Sequence, residues 1–230
     1  MVKPAIYKAA KDLRLTVQIG MPSSNANKLK LCGFTIVVVS NMLDIATTST
    51  FQHPIDGAFS FLKSATQMVI DNARGPHESR LVGLSQALIA GISIVYQPSS
   101  DHDALQGFKA LYDWLERNRS FPKTYGGLSE DSEGSDSQTK AARYLYRMET
   151  YSLSRRIFTT NDGRIGLGPM AMRTGDLVVI LFGSTWPFVL RPYNNKYKMC
   201  GVCYLYGVMF GEAVDAHKIQ AGEDEVYQIR

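Results

Sequence analysis

Apolar positions recur with a helical period through the middle of the chain, whereas towards its C-terminal end they bunch into short runs parted by turns. Three amphipathic helices follow from the first pattern. Pro54–Asn72 places Phe59, Leu62, Thr66, Val69 and Ile70 on one stripe, and proline suits its first turn. His77–Tyr96 is more apolar, with Leu81, Leu84, Leu88, Ile89 and Ile92 inward, as befits a central helix. Asp101–Arg119 turns Leu105, Phe108, Leu111, Tyr112 and Leu115 inward, and Ser100-x-x-Asp103 resembles its capping box. A further helix, Thr139–Leu153, aligns Tyr144, Leu145, Met148 and Tyr151. Near the start, Pro4 opens a short helix, Ala5–Leu13. Leu15–Ile19 and Leu29–Val39 then read as strands about the polar turn Pro22–Asn27, the second ending in five β-branched residues.

From Arg155 to Ala213 the pattern changes to strands and tight turns, and the rest of the chain is expected to be organised around this stretch. Arg156–Thr160 is turned back into Arg164–Leu167 by Asn161-Asp162-Gly163. Leu177–Phe182 is unbroken apolar, which suits a strand buried on both faces. Asn194-Asn195 closes a hairpin between Phe188–Tyr193 and Lys196–Met199. The prediction is an α+β fold: a helical N-terminal half with a β-hairpin (1–153), packed as one compact unit on a small C-terminal SH3-like β-barrel (154–230). Leu128–Gln138 holds Glu130, Asp131, Glu133 and Asp136 with many serines and no basic residue, so it reads as a mobile acidic loop.

Composition narrows the classes. Across 230 residues, 25 Lys and Arg face 21 Asp and Glu, and Arg155-Arg156 is the one adjacent basic pair, so no basic patch marks a nucleic-acid binder. No segment supplies the ~20 apolar residues that span a bilayer, and charges interrupt the N-terminal stretch where a cleavable signal would lie. Three scattered cysteines fit a reducing, cytoplasmic setting better than a disulfide scaffold.

A series of residues carries a family resemblance: Arg156-x-Phe158-x-Thr160-x-x-Gly163, Gly166-Leu167-Gly168-Pro169, Gly175-Asp176, Gly183, and Pro187-x-x-Leu190-Arg191. It continues through Gly201-x-x-Tyr204-x-x-Gly207-x-Met209 and Gly211-Glu212-Ala213. The stretch resembles the C-terminal region of the fungal heterokaryon-incompatibility (HET) proteins. Tyr7-x-Ala9-Ala10 and Leu29-x-Leu31-x-Gly33-Phe34 extend the likeness more loosely to the N-terminal half. Relative to the family's Gly-Glu-x-Tyr-x-His-Gly, Val202 and Tyr206 stand at the Glu and His positions. The chain starts at Met1 where the family's N-terminal signalling domain would end, so that domain is expected to be missing.

The chemistry is weaker than the architecture. Cys200-Gly201-Val202-Cys203 on a strand points its thiols to opposite faces, and His53, His77, His102 and His217 sit at no ligand spacing, so no metal is expected. Gly163-x-x-Gly166-x-Gly168 lacks the spacing of a phosphate loop and reads as turns and strand kinks. Arg156, Arg191, Asp176 and Glu212 admit two readings: a polar cluster lining a groove, or struts in which Arg191 pairs with a carboxylate and Glu212 braces the last strand. Tyr204 and Tyr206, two apart, with Trp186, make either core or an aromatic pocket wall. The candidate site joins Glu212 as base, Tyr206 as proton donor or orienter and Arg191, with Arg156, as holder of an anionic oxygen; Arg156, Trp186 and Tyr204 are its substrate contacts. The leading expectation is a cofactor-free isomerase or cyclase acting on a small metabolite of fungal secondary metabolism. The alternative is a non-catalytic binding module with a protein partner in self/non-self signalling.

Overall fold

Five consecutive β-branched residues, Thr35–Val39, crowd a helix and favour extended backbone, and the strand they seed runs all the way from Leu29 to Met42. The computed structural model describes residues 7–11, 13–14, 17–19, 29–93, 95–123, 136–219 and 223–230. Through these the chain forms β1 (Val17–Ile19), β2 (Leu29–Met42), α1 (Thr48–Gln52), a π-helical turn at Pro54–Phe59, α2 (Ser60–Asn72), α3 (His77–Leu88), α4 (Asp101–Asn118) and α5 (Ser137–Ser152). There follow β3 (Arg155–Thr160), β4 (Ile165–Pro169), β5 (Leu177–Leu181), β6 (Phe188–Tyr193), β7 (Lys196–Val202), β8 (Tyr204–Leu205), α6 (Glu212–Ile219) and β9 (Glu225–Ile229).

β2 organises the sheet. Its first residues pair antiparallel with β1 and with β9, Gly33–Val38 pair with β5, and Val39–Met42 pair with β3. Register shifts between Thr35 and Val37 and between Val39 and Asn41 let one strand change partners along its length. From β3 the sheet continues through β4 to β8. From β5 it runs through β6 and β7 to β9 and so back to β2, the β7–β9 step resting on the single parallel pair Tyr197–Ile229. Leu31, Val179, Leu181, Leu190, Tyr227 and Ile229 from these strands form a small apolar cluster of their own. The fold is α+β, as expected, but the strands of 154–230 do not stand by themselves as an SH3-like unit. Their central partner is β2, from the other side of the expected boundary.

The helices pack on the β3–β4–β8 side. Ser100 caps α4, its Oγ accepting from the Asp103 backbone N–H at 3.1 Å, and Asp136 caps α5 through the Thr139 N–H at 2.8 Å. Tyr144 of α5 donates its hydroxyl to the Ser85 carbonyl at 2.7 Å, and Ser152 to that of Leu88 at 2.6 Å, which ties α5 to α3. Of the acidic stretch Leu128–Gln138, residues 128–135 lie outside the described residues, as does the turn Pro22–Asn27.

Three expectations are corrected. The helix Ala5–Leu13 does not form among its described residues, because Lys8, Ala9 and Ala10 give their backbone N–H groups to Met209, Thr185 and Ser184 carbonyls instead. The helix from His77 ends at Leu88 rather than Tyr96, since Ala90 and Gly91 take positive φ of 48° and 64°. A Cβ at Gly91 would lie 2.7 Å from the Tyr204 ring, so both backbone sign and space require glycine there. Glu212 opens a helix, α6, instead of bracing a strand.

Candidate functional site

Where α3 ends and α4 begins, the helices meet the segment that leaves β8. A cleft of about 240 Å³ lies between them. Its walls include Tyr7, Gln86, Asp101, Tyr204, Tyr206 and Glu212. Three of the sequence-predicted site residues, Tyr204, Tyr206 and Glu212, therefore come together. Trp186 stands one layer back, its ring edge-on to Tyr7 at 4.7 Å. Phe210, 52% exposed and 5.5 Å from the Tyr7 ring, forms the rim.

Hydrogen bonds fix this cleft. Tyr206 donates its hydroxyl to Asp101 Oδ2 at 2.7 Å, and Gln86 Nε2 donates to Asp101 Oδ1 at 2.9 Å and to the Ser99 carbonyl at 3.0 Å. Gln86 is 3% exposed, and its Oε1 has no partner among the described residues. Tyr7 donates to the Ala90 carbonyl across the helix end. Glu212 Oε2 accepts the Phe210 backbone N–H at 2.8 Å, which orders the start of α6. Burial raises the pKa of Tyr206, and its hydrogen bond to Asp101 raises it further, so the phenol keeps its proton at neutral pH. Burial does the same to Tyr7 and Tyr204. Tyr206 is thus a donor, never a base.

Neither predicted arginine reaches the cleft. Arg191, on β6, makes a two-pronged pair with Asp176, Nε to Oδ1 and Nη2 to Oδ2 both at 2.8 Å, and adds the Ala171 carbonyl at 2.6 Å. Asp176 is 2% exposed and also accepts the Arg173 backbone N–H at 2.7 Å. The hydrogen bonds to Asp176 raise the Arg191 pKa. Arg156, on β3, spans from the Met170 carbonyl (Nε, 3.1 Å) to the Leu43 carbonyl (Nη1, 2.9 Å). Both arginines clamp loops onto the sheet, the strut reading of the two that the sequence left open.

The other constellations resolve simply. Cys203 is buried and its thiol is pushed up to about 12 by burial, while Cys200 is half-buried near Asp176. No set of three metal-ligating side chains occurs among the described residues. His53, His77 and His102 lie exposed at helix starts, whereas His217 stacks on Phe34 at 3.9 Å and meets Asp224 at 3.2 Å. No helix among the described residues is long and apolar enough to cross a membrane. In the glycine-rich stretch, a Cβ at Gly168 would fall 2.1 Å from the Met172 sulfur, so close packing accounts for that glycine.

Residues 129–222 match the family model of the Het-6 beta-barrel domain. Heterokaryon incompatibility protein 6, OR allele, of Neurospora crassa is 25% identical over 228 residues, which covers 85% of this chain. The chain resembles the heterokaryon-incompatibility proteins. It spans about a third of the length of that curated relative (33%). No solved structure matches it. The Het-6 barrel match takes in β3 to β8 and both struts, Arg156 and Arg191, but not β2 or β9. It also divides the cleft: Tyr204, Tyr206, Phe210 and Glu212 lie inside it, and Tyr7, Gln86 and Asp101 outside. Those last three are the residues sequence reasoning missed. Only Tyr7 carried a signal, as part of the N-terminal likeness.

Proposed function

We propose that the chain is a non-catalytic recognition module of the heterokaryon-incompatibility kind, which engages a protein partner in the cytoplasm through the junction cleft. The observation that carries this reading is the state of the cleft's polar groups. Asp101, Tyr206, Glu212 and the Gln86 amide nitrogen are each hydrogen-bonded to a neighbour within the fold, so they hold a shaped surface in place. Phe210 at the rim supplies an exposed aromatic of the type that anchors interfaces. The likeness to a heterokaryon incompatibility protein supports the same role.

One feature favours a second reading, a cofactor-free isomerase or cyclase acting on a small metabolite. The Oε1 of Gln86, without a partner among the described residues, and the Tyr206 hydroxyl, once drawn from Asp101, are the polar groups that would orient a small polar substrate. In that case the Tyr206 hydroxyl exchanges Asp101 for the substrate and positions it.

The two readings part on one experiment. Expressed in a Neurospora crassa strain that carries heterokaryon incompatibility protein 6, the chain is expected to change how often that strain forms viable heterokaryons. Equal frequencies with and without the chain contradict the recognition reading. Turnover of a metabolite that Tyr206→Phe abolishes at unchanged melting temperature would install the enzyme in its place.

A further inference from the structure

The junction cleft has a charge sign of its own. Among the described residues that line it, Asp101 and Glu212 are the only charged ones, and none is a lysine, arginine or histidine. None of the ion pairs among the described residues involves either carboxylate. Asp101 is held by neutral donors, the Tyr206 hydroxyl at 2.7 Å and Gln86 Nε2 at 2.9 Å. Glu212 uses Oε2 to accept the Phe210 backbone N–H at 2.8 Å, and no hydrogen bond among the described residues reaches its Oε1. Two negative charges therefore line the cleft without a cationic partner among the described residues.

Gln86 gives a second, independent sign. Its carboxamide is fixed end for end, because Nε2 donates both to the Ser99 carbonyl at 3.0 Å and to Asp101. The oxygen at its other corner has no partner among the described residues, although Gln86 is only 3% exposed and lines the cleft. A buried acceptor without a donor is costly, and a donor that enters the cleft would remove that cost.

We propose that the junction cleft receives an arginine side chain of the protein partner, its guanidinium set among Gln86 Oε1 and the carboxylates of Asp101 and Glu212. This inference deepens the recognition reading and rests on it. A guanidinium carries a fixed positive charge and five N–H donors but no acceptor, which answers a wall that has acceptors and negative charge but no cation. Tyr206 and Phe210 add aromatic rings, on which a planar guanidinium stacks and a compact ammonium does not. At about 240 Å³ the cleft is smaller than the ~300–1,000 Å³ of pockets for drug-sized ligands, which suits one side chain. Arginine is also among the residues that anchor interfaces.

The test titrates the purified full chain with N-acetyl-arginine amide, and in parallel with the lysine amide and the amide of citrulline, the uncharged counterpart of arginine. Proton–nitrogen NMR spectra follow the side-chain amide of Gln86. The arginine probe is expected to bind saturably with a Kd on the order of 1 mM, as its size allows, to shift the Gln86 signal, and to bind severalfold more weakly at ~1 M salt. The lysine probe should bind severalfold more weakly, and the citrulline probe about tenfold more weakly, since it lacks charge-assisted hydrogen bonds. Glu212→Gln keeps an acceptor for the Phe210 N–H and should weaken the arginine probe about tenfold. Should that variant not fold, the citrulline comparison on the parent chain decides alone. No saturable binding of the arginine probe, saturable binding that leaves the Gln86 signal unmoved, or equal or tighter binding of either other probe overturns the proposal. So does a folded Glu212→Gln chain that binds as the parent does. The titration needs no partner, so these outcomes leave the recognition reading standing; that reading falls separately, on equal heterokaryon frequencies with and without the chain.

Discussion

Arg191 and Arg147 show what a partner does to a buried charge. Arg191 reaches from β6 to a carboxylate that is 2% exposed, meets both its oxygens at 2.8 Å, and has a backbone carbonyl besides. Arg147 is itself 8% exposed, yet its side chain makes one hydrogen bond of 3.4 Å and no ion pair among the described residues. The first charge is spent inside the fold and holds a loop to the sheet. The second has no ion pair among the described residues and is desolvated in a cleft, which costs stability. A charged residue in a matched family segment is therefore no guide to a site until its partner is known.

The comparison breaks most sharply at Arg191. Arg191→Ala leaves Asp176 charged, buried and half-satisfied, and should cost about 3–5 kcal/mol in a urea unfolding curve. Arg156→Ala should come next at about 2 kcal/mol, because the carbonyls of Leu43 and Met170 lose charge-assisted donors. A loss under ~0.5 kcal/mol at either position would mean that the sheet arginines are not struts.

Buried neutral groups sharpen the contrast through pH. Burial raises the Cys203 thiol from its ordinary 9.0 to about 12, and raises Tyr144 and Tyr204 above their ordinary 10.0. A raised folded pKa gives stability that is whole below the unfolded pKa and is lost as pH rises past it. Stability should thus be flat with respect to these groups up to pH about 9 and then decline, by about 1 kcal/mol near pH ~10 for Cys203 alone. Cys203→Ala should remove the earliest part of that decline in melting temperatures measured against pH. An unchanged profile would show that the thiol is hydrated in the folded state.

The smallest effect belongs to Arg147. Arg147 has no ion pair among the described residues, and Arg147→Met keeps the stem volume while it removes the desolvated charge, so the protein should melt within ~1 kcal/mol of the parent or above it. A loss as large as that of Arg191→Ala would mean that Arg147 is a strut too.

Local signals were legible in the sequence wherever they decide the structure locally. The apolar stripes place α2, α4 and α5 within a few residues of their ends, apart from the π-helical turn before α2. Ser100 caps α4, and Asn194-Asn195, both at positive φ, close the β6–β7 hairpin as read. What failed depends on distant partners. β2 pairs with four strands because its register shifts twice, and nothing in Leu29–Met42 announces which partner each part takes. β9 was not foreseen at all, since five residues gain strand geometry only by lying beside β2. The helix expected at Ala5–Leu13 lost its backbone donors to carbonyls some 175 to 200 positions away. The site divides in the same way: Tyr204, Tyr206 and Glu212 lie within nine residues, whereas Asp101 and Gln86 reach them only through the packing of α3 and α4.

The central claim is that recognition belongs to the junction cleft and its rim, while the sheet arginines serve the fold. Phe210→Ser tests it most directly, because Phe210 is half-exposed and its loss should cost no more than ~1 kcal/mol. The measurement is heterokaryon frequency in the strain that carries heterokaryon incompatibility protein 6, set beside the variant's melting curve. The account predicts a near-normal melting curve and a frequency that returns to that of the strain without the chain. A folded Phe210→Ser chain that acts like the parent would contradict it.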